Sequence, residues 1–275
     1  MPNPKNLSVL YAGEKQELDS LFFADSLAEE FSLNAKCLTL CPEADVPSIS
    51  NYLGEGTMGL YAKYLESVQR DIKLAQNKIK ESFDKHNFSK LKFSSEIGNP
   101  KEIVAYWGKF TDIIMCYKDI DRFSIDFENV VATALFETSR PVILMPENQV
   151  YSGMERIIIA WDGSFRASGA VKTAIPFLEK AKEIVILTID ESQKDMSSVK
   201  DLLDYLATYN ITAIHKNIAK VHRCVGDEIL SEAEKRNANL IVMGAYTHSK
   251  MRQIVLGGAT KFILANANIP VMLKH

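Results

Sequence analysis

GDEILSEAEKRNANLIVMG, residues 226–244, reads as a glycine turn, an amphipathic helix and a four-residue apolar strand. The same order recurs 128 residues earlier in GNPKEIVAYWGKFTDIIMC, residues 98–116. Two further landmarks flank this pair. LSVLYAG, ending at Gly13, matches IIIAWDG, ending at Gly163, at an offset of 150, and RPVILMP around Pro141 matches IPVMLKH around Pro270 at an offset of 129. Three landmarks in one order in both halves indicate a tandem duplication. The first half carries 22 more residues between its first and second glycine landmarks.

Each half alternates short apolar runs with helical periods. Strands are expected at about 7–11, 36–40, 91–96, 112–116 and 141–145, then at about 156–161, 184–189, 212–219, 239–243 and 270–274. Runs of four to six residues rich in Ile and Val mark parallel strands covered on both faces. The fold class is therefore α/β, with two tandem doubly wound five-stranded parallel sheets. Domains are expected at 1–147 and 154–275, joined by the polar, turn-bracketed segment PENQVYSG, residues 146–153. PVILM and PVMLK are expected to be edge strands that pair with each other, because an exposed row of backbone donors and acceptors invites pairing. In the first half Tyr61, Leu65, Val68, Ile72, Ala75 and Ile79 recur at steps of three and four, which predicts a long amphipathic helix laid against its own sheet.

Composition narrows the function classes. The chain has 275 residues, 47% hydrophobic and 24% charged, with 32 basic against 35 acidic side chains and a net charge of −3, so no strong positive field supports nucleic-acid binding. No apolar run reaches membrane-span length and MPNPKNLSVL lacks a signal-peptide core, so no membrane partner and a cytoplasmic location are expected. Cys37, Cys41, Cys116 and Cys224 fit that address as buried reduced thiols.

In an open parallel sheet, ligands sit outside the carboxyl ends of the strands. Four second-half elements should converge there. They are Asp162, Gly163 and Ser164 after the first strand; Thr188, Ile189 and Asp190 at the end of the second; GAYTH, residues 244–248, after the fourth; and LGGAT, residues 256–260. Amides of Gly258, Ala259 and Thr260 at the start of a helix form an anion site, with Thr260 and Ser249 as hydroxyl donors and His248 and Arg252 as cationic partners.

This combination resembles the universal stress protein family, whose nucleotide-binding members carry G-x2-G-x9-G-(S/T) after the fourth strand. Gly244 and Gly257 match, while Thr247 stands at the second glycine and Gly258 at the Ser or Thr. AWDGS, with Asp162 where the family places an adenosine-contacting aspartate, and VGDEI before NLIVMG strengthen the likeness, and the resemblance covers both halves, roughly residues 5–146 and 154–275. The resemblance implies Rossmann-like domains paired through their last strands. It implies ATP or another adenine nucleotide in the second half as a regulatory ligand, with Mg accompanying the nucleotide and at most slow hydrolysis. Asp162, Gly163, Ser164, Ile189, Gly244, Thr247, His248, Arg252, Gly257, Gly258, Ala259 and Thr260 would line this site. A protein partner and an intrachain pseudo-dimer, with room for a homodimer, complete the expectation. Alternatives are a protein-interaction module that has lost its ligand, and an ATP-using enzyme.

The first half departs further, with Ala12 opposite Asp162, Cys116 opposite Gly244, and Asn129 and Val130 opposite Gly257 and Gly258 by the 128 offset. It reads as a degenerate partner. GEGTMG, residues 54–59, follows no apolar strand and reads as a lead-in to the long helix, while His215, His222 and Cys224 match no zinc-ligand spacing.

Overall fold

The computed structural model describes residues 3–11, 18–41, 55–117, 127–190, 196–219, 221, 224–245 and 258–275. The first half runs β1 (Asn6–Tyr11), α1 (Leu18–Glu30), β2 (Asn34–Cys41), α2 (Glu55–Asp84), β3 (Leu91–Ile97), α3 (Pro100–Trp107), β4 (Ile113–Tyr117), α4 (Phe127–Phe136) and β5 (Val142–Met145). The second half runs β6 (Arg156–Ala160), α5 (Phe165–Leu178), β7 (Glu183–Ile189), α6 (Met196–Ala207), β8 (Ile214–Ile218), α7 (Val225–Lys235), β9 (Leu240–Gly244), α8 (Gly258–Asn266) and β10 (Val271–Lys274). The strands form one ten-stranded sheet in the order β3-β2-β1-β4-β5-β10-β9-β6-β7-β8.

Within each half every ladder is parallel. The halves meet at an antiparallel seam, where Val271 faces Leu144, Met272 faces Ile143 and Leu273 faces Val142. Thus β5 and β10, each the outermost strand of its own half, pair with each other as expected and become the central strands of the joint sheet. The edges of the sheet are β3 and β8.

The apolar runs are continuous because helices cover both faces. One core layer joins Val9, Leu27, Ile143, Ile159, Val171, Leu202 and Met272; the other joins Leu10, Val131, Leu144, Ile158, Ile229, Ile263 and Leu273. Both layers draw on both halves, so the hydrophobic driving force acts across the seam as well as within each repeat. Among the described residues no helix is long and apolar enough to cross a membrane.

Ladder registers give the true correspondence of the repeats. Leu10 pairs with Cys116 and Ala160 with Met243, while Tyr117 pairs with Met145 and Gly244 with Lys274. The fourth strands therefore superpose at an offset of 127, one less than the 128 taken from the glycine landmarks, because one more residue separates α3 from β4 than α7 from β9. A pair of capping side chains follows the same offset. Asp112 Oδ2 accepts from the Asn6 amide at 2.9 Å, and Asn239 Oδ1 accepts from the Arg156 amide at 3.0 Å. In each case the capping residue's own amide returns a bond to the carbonyl of the residue it caps, at 2.9 and 2.8 Å. At a half-buried strand start an unpaired amide is costly, and each repeat satisfies it with a short polar residue just before its fourth strand.

Two expectations need correction. Gly98 is a turn residue with φ +147°, but Gly226 lies inside α7, where a Cβ would come within 2.8 Å of the Ala259 carbonyl; it is a helix-packing glycine. The long helix spans 30 residues and includes Gly56 and Gly59. Its C-terminal part is laid against the sheet, through buried Ile79 and Phe83, with Ile72 and Ala75 half-buried and Tyr64 and Leu74 exposed. Tyr61, Leu65 and Val68 have side chains outside the described set.

Candidate functional site

The turn after β6 is built by local chemistry. Ser164 Oγ accepts from the Ala167 amide at 3.1 Å and so caps α5, and Asp162 Oδ1 accepts from the Ser164 amide at 3.0 Å. Between them Gly163 has φ +71°, a left-handed conformation that L side chains rarely adopt. This turn swings the chain from strand to helix and leaves Asp162 at the carboxyl end of the sheet.

There a cleft of about 530 Å³ opens, lined by Ala160, Asp162, Leu187, Ile189, Asp190 and Met243 from the strand ends, with Trp161, Thr188 and Gly244 beside them. Cys224, Val225 and Ile229 supply the α7 side, and Gly258, Ala259 and Thr260 the α8 side. Its volume falls within the roughly 300–1,000 Å³ typical of small-molecule sites.

The lining is chemically divided. Leu187, Ile189, Val225, Ile229 and Met243 make an apolar wall suited to a flat ring. Asp162 and Asp190 supply carboxylates, acceptors for hydroxyl or amine donors. The α8 side starts a helix, whose first amides lack intrahelical acceptors and carry the positive end of the dipole. The α7 side starts another, with Cys224 as N-cap making no side-chain capping bond. An extended molecule with an apolar ring, donor hydroxyls and an anionic end matches this sequence of surfaces.

Gly244 contributes in a way its sequence context does not reveal. A Cβ there would lie 2.7 Å from the Ala167 nitrogen and 2.9 Å from the Arg166 carbonyl carbon, so the residue lets β9 run directly under the first turn of α5. Its first role is packing. Gly258 is the reverse: a Cβ there would meet nothing within 4 Å, so a side chain could enter the cleft without moving the backbone.

Below the cleft, Thr188 Oγ1 lies 2.9 Å from His215 Nε2 and 3.2 Å from Asn217 Oδ1, tying β7 to edge strand β8. Glu232 anchors α7 to the same edge by accepting from Lys216 Nζ and Arg236 Nε, both at 2.6 Å. Burial alone would raise its pKa, but the hydrogen bonds and charges of Lys216 and Arg236 outweigh that and lower it from 4.5.

Of the residues expected at the site, Asp162, Ile189, Gly244, Gly258, Ala259 and Thr260 line the cleft. Gly163 and Ser164 build the turn behind Asp162, and Thr247, His248, Arg252 and Gly257 lie outside the described residues, as does Ser249. Cys224 lines the cleft half-exposed, so it is not the buried thiol expected; Cys37 and Cys116 are buried. Among the described residues no three His, Cys, Asp or Glu side chains cluster to hold a metal ion.

In the first half, Tyr117 stands at the position of Gly244, and Cys116 at that of Met243. Asn129 and Val130 lie within α4. Ala12 lies outside the described residues.

No curated protein sequence matches the chain significantly. The family model of the universal stress protein family matches residues 153–275. Among solved structures, a universal stress protein from Archaeoglobus fulgidus DSM 4304 aligns over 98% of this chain and 97% of its own length, with 16% identity and a TM-score of 0.66. A functionally unknown protein from Pseudomonas aeruginosa PAO1 aligns over 98% and 92%, with 11% identity and a TM-score of 0.60. At these identities the likeness speaks for the fold, and it extends over both halves. Residues 153–275 thus form a domain of the universal stress protein family, and the chain joins it to a second copy of the same α/β fold.

Proposed function

We propose that the second-half cleft binds one adenine nucleotide, ATP or AMP, as a regulatory ligand. The carrying observation is the cleft itself: an apolar wall, two carboxylates and the start of α8 line one volume of about 530 Å³ at the carboxyl ends of β6, β7 and β9. Adenine fits against Ile189 and Met243, Asp162 accepts from the ribose hydroxyls, and the phosphates point at the amides of Gly258, Ala259 and Thr260. Mg, which retains waters and phosphate oxygens in most nucleotide sites, travels with the phosphates of ATP in this reading. The ligand biases a conformation or a protein contact and is not consumed as part of a cycle.

The competing reading is an interaction module without a ligand. Among the described lining residues there are two carboxylates and no lysine or arginine, which favours the nucleoside part of the ligand over its phosphates. Isothermal titration with ATP, AMP and adenosine separates these outcomes. One equivalent of ATP or AMP is expected, and Asp162→Ala should weaken it about tenfold through loss of a charged hydrogen-bond acceptor. Adenosine binding as tightly as ATP would remove the phosphate role of α8; no heat with any of the three would leave the ligand-free module.

A further inference from the structure

We infer that the outer edge of β3 is a self-complementary docking strand for a second copy of this chain. Strand β3 ends the sheet, and no strand among the described residues pairs with its outer side. Its sequence is LKFSSEI, residues 91–97. An antiparallel copy centred on Ser94 overlaps the whole strand, setting Lys92 against the partner's Glu96, Phe93 against the partner's Ser95, and Ser94 against the partner's Ser94. The twofold then creates two Lys–Glu pairs from one strand, the relation an isologous interface requires.

Backbone direction agrees with this register. The Ser94 carbonyl faces β2, where it accepts from Thr39 Oγ1 at 3.3 Å. Successive residues of a strand turn their amide and carbonyl to opposite sides, so those of Phe93 and Ser95 face outward. In the Ser94-centred register Phe93 and the partner's Ser95 are therefore a hydrogen-bonded pair. Lys92 and the partner's Glu96 become a non-hydrogen-bonded pair, the type in which side chains stand closest. Lys92 and Ser95 are exposed, and Ser94 Oγ donates to Glu96 Oε1 at 2.9 Å, holding that carboxylate on the face that Lys92 shares.

The opposite edge is built differently. In β8, residues IHKNI, a self-pair centred on the middle residue would set Lys216 against the partner's Lys216, and like charges directly opposite are unfavourable. Its Lys216 ammonium is already committed to Glu232 at 2.6 Å. Pairing of β3 with a partner's β8 is heterologous and would propagate without closing. The self-complementary edge yields a closed dimer in which two ten-stranded sheets become continuous.

Sedimentation velocity of the full chain over a concentration series tests this. A reversible monomer–dimer equilibrium is expected. Lys92→Glu and Glu96→Lys should each weaken it about tenfold or more, since each turns two attractive cross-strand pairs into repulsive ones. The double variant K92E/E96K restores complementarity and should return to within about threefold of the parent. Ser94→Cys should form a disulfide-linked dimer on mild oxidation that the parent does not form, because the Cα atoms of such a pair lie about 4.5 Å apart, within disulfide range. Far-UV circular dichroism checks that each variant is folded. A parent that stays monomeric throughout, association indifferent to K92E, or growth into open filaments would each overturn the assignment.

Discussion

The two halves share a backbone and differ in what stands at the strand ends. Around the second-half cleft are Ala160, Leu187, Ile189, Met243 and Gly244. Ladder register places Leu10, Leu38, Leu40, Cys116 and Tyr117 at the same five positions of the first half, and all five are buried. Leucine replaces alanine on the first strand and tyrosine replaces glycine on the fourth. At these five positions the first half buries its own side chains, whereas the second half lines a cleft with them. The same topology thus carries two different sets of side chains at its strand ends, the larger set in the first half and the smaller in the second.

This comparison can be broken most strongly at Tyr117. Its ring is 2% exposed, and Tyr117→Ala should cost about 3–5 kcal/mol in urea denaturation, the range for deleting a large buried ring. Nucleotide stoichiometry should stay at one, because removing the ring supplies neither the carboxylate of Asp162 nor the helix start at Gly258. A loss below about 1 kcal/mol would show that the ring does not fill a core. Gly244→Ala moves the second half toward the first. The new Cβ meets backbone atoms of α5, so a loss of about 1–3 kcal/mol and weaker ATP binding are expected together, read by denaturation and titration of the same protein. Unchanged stability would mean that α5 shifts freely.

The smallest effect is expected at Gly258. Gly258→Ser adds a hydroxyl into open space at the start of α8, so stability should change by no more than about 0.5 kcal/mol. ATP should bind several-fold tighter and adenosine unchanged, which titration of both resolves. Equal gains for both would place the new hydroxyl away from the phosphates.

Much of this was legible in the sequence because it follows from periodicity. Buried parallel strands must be apolar on both faces, so IIIA, IVIL and LIVM announce themselves, and two copies of PV-x-L imply two edges that can satisfy each other. Asp162 after β6 and Gly258 at the start of α8 were legible because a turn and a helix start at the carboxyl end of a sheet constrain residue type. The register of the fourth strands was not. Landmark glycines suggested an offset of 128, but one extra residue between α3 and β4 shifts the strands by one and puts Tyr117, not Cys116, in the place of Gly244. Nor could the sequence separate a glycine that approaches a phosphate from one that approaches a helix. Gly244 and Gly226 both belong to the second kind, through Arg166 and Ala167 in one case and Ala259 in the other. Cys224 and Val225 were missed as lining residues because a helix start without a capping side chain leaves no compositional mark.

The antiparallel seam sets a schedule for the nascent chain. On the side away from β4, Val142 to Leu144 find their partners in Val271 to Leu273, more than 120 residues later in the sequence. During synthesis the first half can assemble its five strands while the pairing side of β5 waits for about 130 more residues. At about 5–20 residues per second that wait is on the order of ten seconds. Throughout that interval an apolar strand, 0–2% exposed in the finished protein, presents unpaired amides and carbonyls to every neighbouring chain. Polysomes, which hold several copies at this stage side by side, are therefore where the protein is most exposed to domain-swapped pairing, and early termination before residue 271 would make that exposure permanent.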